Sequence, residues 1–287
     1  MQNIVAERLI NILLQSEAYN SWLMRCHEDR AEILPRILEI GCGTGLLTTK
    51  LIGVLPPSGI TLLDIAPSML KICEKKLGNI IADSMSARHK YKFVCSDVTQ
   101  YDLSRENEKF ALVVSSMALQ WVRDIGLVLT KILQNSNLFA FTLPMAGSLW
   151  QWYELCDELD IEYKTIRLYR GRDMLQHIKD CSANPGGSIE FREEIVTIGY
   201  ETALDFALHL KRIGASSGYK IDESVDSYST HHPLNRYLYH SIEQPKIGRE
   251  EKKMGTKSIL HSRKILAQRK NFNVDYLVGY FFLSSGF

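Results

Sequence analysis

Three glycines occupy alternate positions after an acidic residue in the stretch LEIGCGTGLLTTK, which runs from Leu38 to Lys50. Glycine tolerates positive φ angles and lets a backbone approach a ligand closely. A helix that begins after such a turn presents free N–H groups and a positive dipole, both of which favour an anionic group. The stretch therefore predicts a strand-to-helix turn that binds a ligand, and a tight turn without a ligand is the alternative.

Two common nucleotide motifs do not fit this turn. The P-loop pattern GxxxxGK[ST] is excluded because no Lys followed by Ser or Thr stands at that spacing after the glycines. The dinucleotide fingerprint needs glycines at its first, third and sixth positions, and Leu46 occupies the sixth. The pattern Glu39-x-Gly41-x-Gly43-x-Gly45 instead resembles that of class I S-adenosylmethionine-dependent methyltransferases.

Acidic residues also end the next two predicted strands. Asp64 lies about 20 residues after the glycines, where a carboxylate can accept hydrogen bonds from both ribose hydroxyls. Asp97, in CSDV, ends the third predicted strand. Because ligands of parallel sheets bind outside the carboxyl ends of the strands, we expect these side chains to meet at one edge. An exposed, solubilising aspartate is the alternative at each position.

Apolar runs alternate with helical patterns through the first half of the chain, which predicts βαβ units and a parallel sheet. The predicted strands are RILEI, ITLLDI, YKFVCSDV, FALVVSSM and NLFAFTLP, and the predicted helices are GLLTTKLIGVL, PSMLKICEKKLGNII and RDIGLVLTKILQNS. In the second half, GSLWQWYELCDELDIEY and ETALDFALHLKRIGA are predicted helices, SIEFREEIVTIGY an edge strand and VDYLVGYFFLSS a final strand.

Composition narrows the class of protein. The chain has 287 residues with 45% hydrophobic content, and its 34 Lys and Arg against 33 Asp and Glu give a net charge of +1. This balance argues against a general nucleic-acid binder. The six cysteines form no CxxC pair, and the paired His231 and His232 lack further metal ligands at a suitable spacing, so we expect no disulfide framework and no metal site. The N-terminal segment has Glu7 and Arg8 within an amphipathic helical pattern, and no uncharged apolar run approaches a membrane span, so we expect a cytoplasmic protein.

The resemblance to class I methyltransferases covers about residues 36–145 and includes LLDIAPSML after the second strand. It implies an α/β, Rossmann-like fold: a seven-stranded, mostly parallel sheet with helices on both faces and an α-helical lid or insertion. The implied domains are an N-terminal helical cover (1–35), a cofactor-binding core (36–145), and lid helices with the final strands (146–287). The implied cofactor is S-adenosylmethionine, with Glu39 facing its ammonium, Asp64 its ribose and Asp97 its adenine amino group. The cofactor-binding residues implied by the family are Glu39, Gly41, Cys42, Gly43, Gly45, Asp64, Ile65, Met69, Asp97, Val98, Ser115 and Ser116.

A narrower resemblance spans most of the chain outside about 220–270. The stretches AERL, SSMALQWVRD, FAFTLPMAGSLWQWYELCDEL and ALDFALHLKRIGAS are similar to those of the malonyl-acyl-carrier-protein O-methyltransferases of biotin synthesis. The implied reaction methylates the free carboxylate of a malonyl thioester. A carboxylate is ionised at pH 7 and needs no general base, so we expect no catalytic side chain beyond those that position the substrate.

Four residues are candidates to hold the substrate: Gln120, Trp121, Lys211 and Arg212. Trp121 as a core tryptophan, and the two cations as an ordinary basic helix end, are the alternatives. From Lys246 to Lys270 there are nine Lys and Arg against two Glu, which can attract an acidic acyl carrier protein; a solvated loop is the alternative.

The chain also departs from this family. The family has a stretch before the AERL helix with a tyrosine near the cofactor. We expect part of this active-site cover to be missing or replaced here, with Tyr19 or Trp22 as candidates to replace it. The family's Pro-Gly-Gly turn before the fifth strand is replaced by Asn135-Ser136-Asn137, for which we expect similar dihedral angles. Two other functions stay open: methylation of another small carboxylate such as aconitate, and a cofactor-binding assembly factor resembling the arginine hydroxylases of respiratory complex assembly.

Overall fold

The computed structural model describes residues 1–28, 35–56, 58–81, 89–104, 109–159, 168–182, 187–212 and 264–284. The chain divides into two compact units. The first comprises Met1–Gln151, Ile166–Ile198 and Val274–Phe287, and the second comprises Trp152–Thr165 and Gly199–Asn273. The division at residues 35 and 145 that the sequence suggests stays a prediction.

Strands and helices alternate along the first half of the chain, as the apolar pattern predicts. The elements are α1 (Gln2–Gln15), α2 (Glu17–Glu28), β1 (Arg36–Ile40), α3 (Thr48–Leu51), β2 (Gly59–Asp64), α4 (Pro67–Ile81), β3 (Lys90–Cys95), β4 (Phe110–Ser116), a short 3-10 helix (Leu119–Trp121), α5 (Ile125–Asn135), β5 (Ser136–Pro144), α6 (Trp150–Glu158), α7 (Gly171–Cys181), β6 (Ile189–Thr202), α8 (Ala203–Arg212) and β7 (Lys270–Ser284). Among the described residues, no helix combines the length and the apolar character needed to cross a bilayer.

The strands form one seven-stranded sheet in the order β3-β2-β1-β4-β5-β7-β6. β1 pairs in parallel with β2 and β4, β2 with β3, and β4 with β5, whereas β7 is antiparallel to β5. The predicted mostly parallel sheet is confirmed, and so is the edge position of the SIEFREEIVTIGY strand. The strand order reverses between β1 and β4, and a sheet of this type binds its ligand at such a reversal.

Burial explains why these segments form central strands. β1 and β5 are buried along nearly their whole length, which is typical of strands covered on both faces. Helix α4 packs against β2 and β3, while α1 and α5 pack against β5. Pro67 opens α4 at a position where its missing N–H costs nothing, and the Asp124 side chain caps α5 by accepting from the Leu127 N–H at 2.9 Å.

Three local expectations are wrong. The helix predicted from Gly45 is reduced to Thr48–Leu51, because Gly45 has a φ of +77° and cannot be helical. The N-terminal helix breaks at Ser16, whose hydroxyl accepts from the Tyr19 N–H at 3.1 Å and starts a second helix. No turn separates α5 from β5, because Ser136 has an extended φ of −136° directly after the helix.

Helix α7 is absent from the sequence-based prediction. Its buried residues are Met174, His177 and Ile178, which have helical spacing. A histidine takes one of the core positions and charged residues surround it, so the apolar signal is too weak to separate this helix from the polar sequence on either side.

Each unit has its own aromatic packing. In the second unit, Phe206 lies between Trp152 and Tyr200, with ring centroids 5.3 and 5.1 Å away. In the first unit, Phe141 pairs directly with Phe281 across β5 and β7, and their rings stack at 4.7 Å. This stack holds the antiparallel strand on the parallel part of the sheet.

The stack makes a test of the fold. We expect Phe281→Ala to lower the free energy of unfolding by about 3–5 kcal/mol, because it leaves a cavity between buried rings. Ile195→Ala on β6 is the matched control: this side chain is 63% exposed, and its loss is expected to cost less than about 0.5 kcal/mol. Urea unfolding followed by circular dichroism measures both, and equal midpoints for the two variants would contradict the role of the stack.

Candidate functional site

The turn after β1 is built from glycines in left-handed conformations. The φ angles of Gly41, Gly43 and Gly45 are +70°, +53° and +77°, a region that side chains disfavour. The Gly41 and Cys42 N–H groups both donate to the Leu63 carbonyl, at 2.8 and 3.1 Å. The turn is therefore tied to the end of β2.

Two of these glycines allow close contacts with other parts of the chain. A Cβ atom on Gly41 would lie 2.3 Å from the Ala118 Cβ, in the loop after β4. A Cβ atom on Gly45 would lie 2.9 Å from the Cys73 Sγ on α4. At Gly43 no atom of the described residues, apart from its chain neighbours, lies within 4 Å of the same position, so the backbone there is open on this side. The turn thus packs tightly behind and leaves an uncovered backbone surface in front that fits a ligand.

Asp64 joins the turn to the start of α4. One carboxylate oxygen accepts from the Gly43 N–H and the other from the Ala66 N–H, both at 2.8 Å. A carboxylate has about four acceptor positions in all, so each oxygen can still accept a ligand hydroxyl. Asp64 can therefore hold the turn in place and bind a ribose at the same time.

Glu39 forms the buried side of the site. It is 2% exposed, and its Oε2 accepts from the Thr48 hydroxyl at 2.7 Å. Burial raises its pKa from 4.5 to about 8, and the hydrogen bond from Thr48 opposes that shift. Desolvation outweighs the hydrogen bond, so the acid is mainly protonated at neutral pH. A cation placed beside it would favour the carboxylate form.

Two thiols lie beneath the same turn. Both Cys42 and Cys73 are buried. Their mutual hydrogen bond and burial raise the pKa of Cys42, whereas the same hydrogen bond lowers the pKa of Cys73. Because the Cys42 side chain is buried, a ligand in front of the turn would meet its backbone and not its thiol.

The segments after β2 and β3 form the next part of this edge. Ile65 directly follows Asp64, and Met69 lies in the first turn of α4. Both side chains are apolar, and yet the residues are 66% and 40% exposed. Asp64 pairs with Cys95 in the sheet, which places Asp97 at the same edge. The Asp97 Oδ1 accepts from the Thr99 N–H and hydroxyl, both at 2.8 Å. Exposed apolar side chains beside a carboxylate suit a flat base with an amino group.

Val98, after β3, and the last two residues of β4, Ser115 and Ser116, have mainly structural contacts. Val98 is buried. The buried Ser115 hydroxyl donates to the Ile40 carbonyl at 3.0 Å and so links β4 to β1. The Ser116 hydroxyl lies 3.3 Å from the Thr142 hydroxyl, at the end of β5. Ser115 is fully buried, so its predicted contact with the cofactor stays a prediction.

The loop after β4 carries the two predicted substrate residues that the structure describes in full. Met117 has a φ of +53°, and the Gln120 Nε2 donates to its carbonyl at 2.7 Å. Trp121, in the same 3-10 helix, is 38% exposed, so it is not a fully buried core residue. Ala118 joins this loop to the glycine turn through its contact with Gly41.

Other candidates lie outside this description. The backbone of α8 ends at Arg212, but the side chains of Lys211 and Arg212 are outside the described residues, as are His231, His232 and residues 246–263.

Tyr19 and Trp22 are buried with ring centroids 5.3 Å apart, and the Tyr19 hydroxyl donates to the Val54 carbonyl at 3.3 Å. Their contact with a cofactor stays a prediction. In the described parts of the chain, no three His, Cys, Asp or Glu residues group closely enough to hold a metal.

Sequence reasoning missed three residues that shape the site. Thr48 holds Glu39, Ala118 requires glycine at position 41, and Thr142 accepts from the Met117 N–H at 3.1 Å. None of them belongs to a motif with recognisable spacing, because each acts through a contact between distant segments.

Comparison with known proteins agrees with this geometry. A family profile described as "Methyltransferase domain" matches residues 37–135. A malonyl-[acyl-carrier protein] O-methyltransferase 2 from Ilyobacter polytropus is 26% identical over 193 residues, which cover 66% of this chain and 69% of the relative. A malonyl-[acyl-carrier protein] O-methyltransferase from Neorickettsia risticii is 32% identical over 125 residues, which cover 44% of this chain and 44% of the relative. A third, from Bacillus cytotoxicus, is 30% identical and covers 63% of this chain and 62% of its own. The match thus spans between less than half and about two thirds of these relatives.

Solved structures agree in fold. The YcgJ protein from Bacillus subtilis has a TM-score of 0.52 at 9% identity, covering 94% of this chain and 99% of its own. A candidate methyltransferase from Bacillus halodurans also has a TM-score of 0.52 at 9% identity, with 93% and 100% covered. The predicted Rossmann-like fold is confirmed. The chain carries a class I S-adenosylmethionine-dependent methyltransferase domain, and it resembles the malonyl-acyl-carrier-protein O-methyltransferases.

Proposed function

We propose that the protein methylates the free carboxylate of a malonyl thioester on acyl carrier protein, in the early, pimeloyl-forming part of biotin synthesis. The observation that carries this proposal is that relatives named for this activity match up to 75% of the chain. The methyl ester would mask the charge and let fatty-acid enzymes extend the acyl chain.

The described residues fit the cofactor of such an enzyme. In our proposal the methionine carboxylate binds at the open face of the glycine turn, beside Gly43, and Glu39 binds the ammonium. Asp64 binds the ribose, Asp97 binds the adenine amino group, and Ile65 packs with Met69 on the base. S-adenosylmethionine supplies an electrophilic methyl group, and the protein supplies binding and orientation.

The acceptor explains why no general base is needed. A carboxylate with a reference pKa near 4 is ionised at pH 7 and is itself the nucleophile. The work left to the protein is in-line positioning and removal of water from the carboxylate. We assign Trp121 to the wall of the acceptor site, and Lys211 and Arg212 to the substrate carboxylate.

Two further assignments concern the partner and the compartment. The basic segment 246–270 is our candidate surface for the acidic carrier protein. The five cysteines whose side chains are described are all free thiols, which is in keeping with a reducing cytoplasm.

A methyl-transfer assay tests the acceptor. The purified protein is incubated with methyl-labelled S-adenosylmethionine and malonyl-acyl carrier protein, malonyl-coenzyme A or aconitate. We expect base-labile label on the malonyl carrier and none on acetyl-acyl carrier protein, which lacks the free carboxylate. Label on aconitate alone would replace our acceptor with a small carboxylate. Cofactor binding with no label on any carboxylate would contradict the proposal and favour the assembly-factor function.

A glycine substitution tests the cofactor turn. We expect Gly41→Ala to weaken binding of S-adenosylhomocysteine by more than about tenfold, because a Cβ atom would lie 2.3 Å from Ala118 and the φ is +70°. Adding Ala118→Gly removes the clash and should restore part of the affinity. Gly78→Ala is the matched control: its Cβ would meet no atom within 4 Å on helix α4, and affinity should be unchanged. Calorimetric titration measures all three, and an unimpaired Gly41→Ala variant would contradict the assigned turn.

Glu39 predicts proton release on cofactor binding. Its pKa of about 8 lies above pH 7, so the free protein holds the proton. The cofactor ammonium would stabilise the charged form and lower that pKa, so binding at pH 7 should release close to one proton. Titration of S-adenosylhomocysteine in buffers of different ionisation enthalpy measures the release. We expect Glu39→Gln, which cannot ionise, to show none, whereas buffer-independent heats for the unsubstituted protein would disprove the assigned contact.

A further inference from the structure

The Gln120 side chain has one end occupied and one end free. Its Nε2 donates to the Met117 carbonyl at 2.7 Å, whereas its Oε1 is buried and has no hydrogen-bond partner among the described residues. A carbonyl can only accept, so the amide nitrogen must face Met117 and the oxygen must be the free end. A buried acceptor without a donor is costly, which indicates that a ligand supplies one.

The backbone around Gln120 is held in a strained arrangement. Met117 has a φ of +53°, which is uncommon for a residue with a side chain. Its N–H donates to both oxygens of Thr142, at 3.2 Å to the carbonyl and 3.1 Å to the hydroxyl. Strain of this kind persists where the surrounding contacts determine it, often at functional sites. Here it places the Met117 carbonyl where it orients the Gln120 amide.

Two acceptors lie close in the chain to the residues that meet at Gly41. Glu39 lies two residues before Gly41 on β1, and Gln120 lies two residues after Ala118, which packs against Gly41. The Gln120 Oε1 does not suit a carboxylate, because an ionised carboxylate has no hydrogen to donate. A cation beside Glu39 favours the ionised form of that acid. An ammonium has three N–H donors and a positive charge, and so satisfies both.

We propose that the Gln120 Oε1 accepts a hydrogen bond from the ammonium of the cofactor's methionine part and makes the site selective for a ligand with an α-amino group. This inference rests on the proposed cofactor placement and is independent of the malonyl acceptor. It gives the Gln120 oxygen a ligand, whereas the expectation that Gln120 orients the substrate carboxylate would use the second N–H of the same amide, since the first is bound to Met117.

Two ligands that differ only in the ammonium test this assignment. S-adenosylhomocysteine has the α-amino group, and 4-(5′-adenosylthio)butanoate keeps the carboxylate but lacks the amino group. Gln120→Leu should weaken binding of the first about tenfold and leave the second unchanged, because a hydrogen bond to a charged group is lost only with the first. Calorimetric titration measures both affinities without any acceptor, so the result does not depend on methyl transfer to malonyl thioesters.

The control and a second variant separate this role from a structural one. Gln176→Leu removes an exposed glutamine whose Nε2 donates to Asp180 at 2.8 Å, and it should change neither affinity. Gln120→Met keeps the length and shape of the side chain, so it replaces Gln120→Leu if that variant does not fold. Loss of affinity for S-adenosylhomocysteine alone supports the proposal. Equal loss for both ligands, or no loss for either, overturns it.

Discussion

The missing side chain at Gly41 is the constraint on which the site depends. β1 and β4 are neighbours in the sheet, so the turns that follow them must share the space beyond their carboxyl ends. They can do so only because no Cβ atom stands between Gly41 and Ala118. The contact joins the segment assigned to the cofactor with the segment that carries Gln120 and Trp121. Sheet topology brings both segments to one place, and a single missing methyl group lets them meet.

The acidic residues around this contact form hydrogen bonds that hold parts of the protein itself in place. Asp64 accepts two backbone N–H groups, one from the glycine turn and one from the start of α4. Glu39 is buried so fully that desolvation outweighs its hydrogen bond from Thr48 and leaves it mainly protonated at neutral pH. A cationic ligand gains more from such an acid than from an exposed one, because little water screens the new charge pair. The burial that disfavours the free carboxylate thus favours binding of an ammonium.

A feature can be predicted from the sequence when residues close together in the chain determine it, and it is hidden when contacts between distant segments determine it. The bounds of β1 and α4 follow residue for residue from an apolar run and from Pro67, and the Glu39–Gly45 pattern predicts the glycine turn between β1 and α3. The long helix after that turn is wrong, because hydrophobic periodicity does not show a positive φ at Gly45. The orientation of Gln120 is equally hidden, since it depends on the Met117 backbone and on contacts with Thr142 on another strand. Local patterns predict elements, whereas contacts between distant segments determine the site.

The polar groups after β4 and β5 also limit where acceptor specificity can come from. The hydroxyls of Ser115, Ser116 and Thr142 form hydrogen bonds with the backbone or with one another. One N–H of the Gln120 amide donates to the Met117 carbonyl. All of these groups maintain the loop that packs on the glycine turn. A substrate carboxylate needs donors or a cation, and these groups leave few donors for it: the second N–H of Gln120 and one hydroxyl hydrogen of the Ser116–Thr142 pair. In our proposal this edge of the sheet serves mainly the cofactor, and Trp121 contributes an apolar wall for the acceptor. The cations Lys211 and Arg212 are the candidates for the substrate carboxylate, because a charged donor binds a carboxylate more strongly than a neutral one.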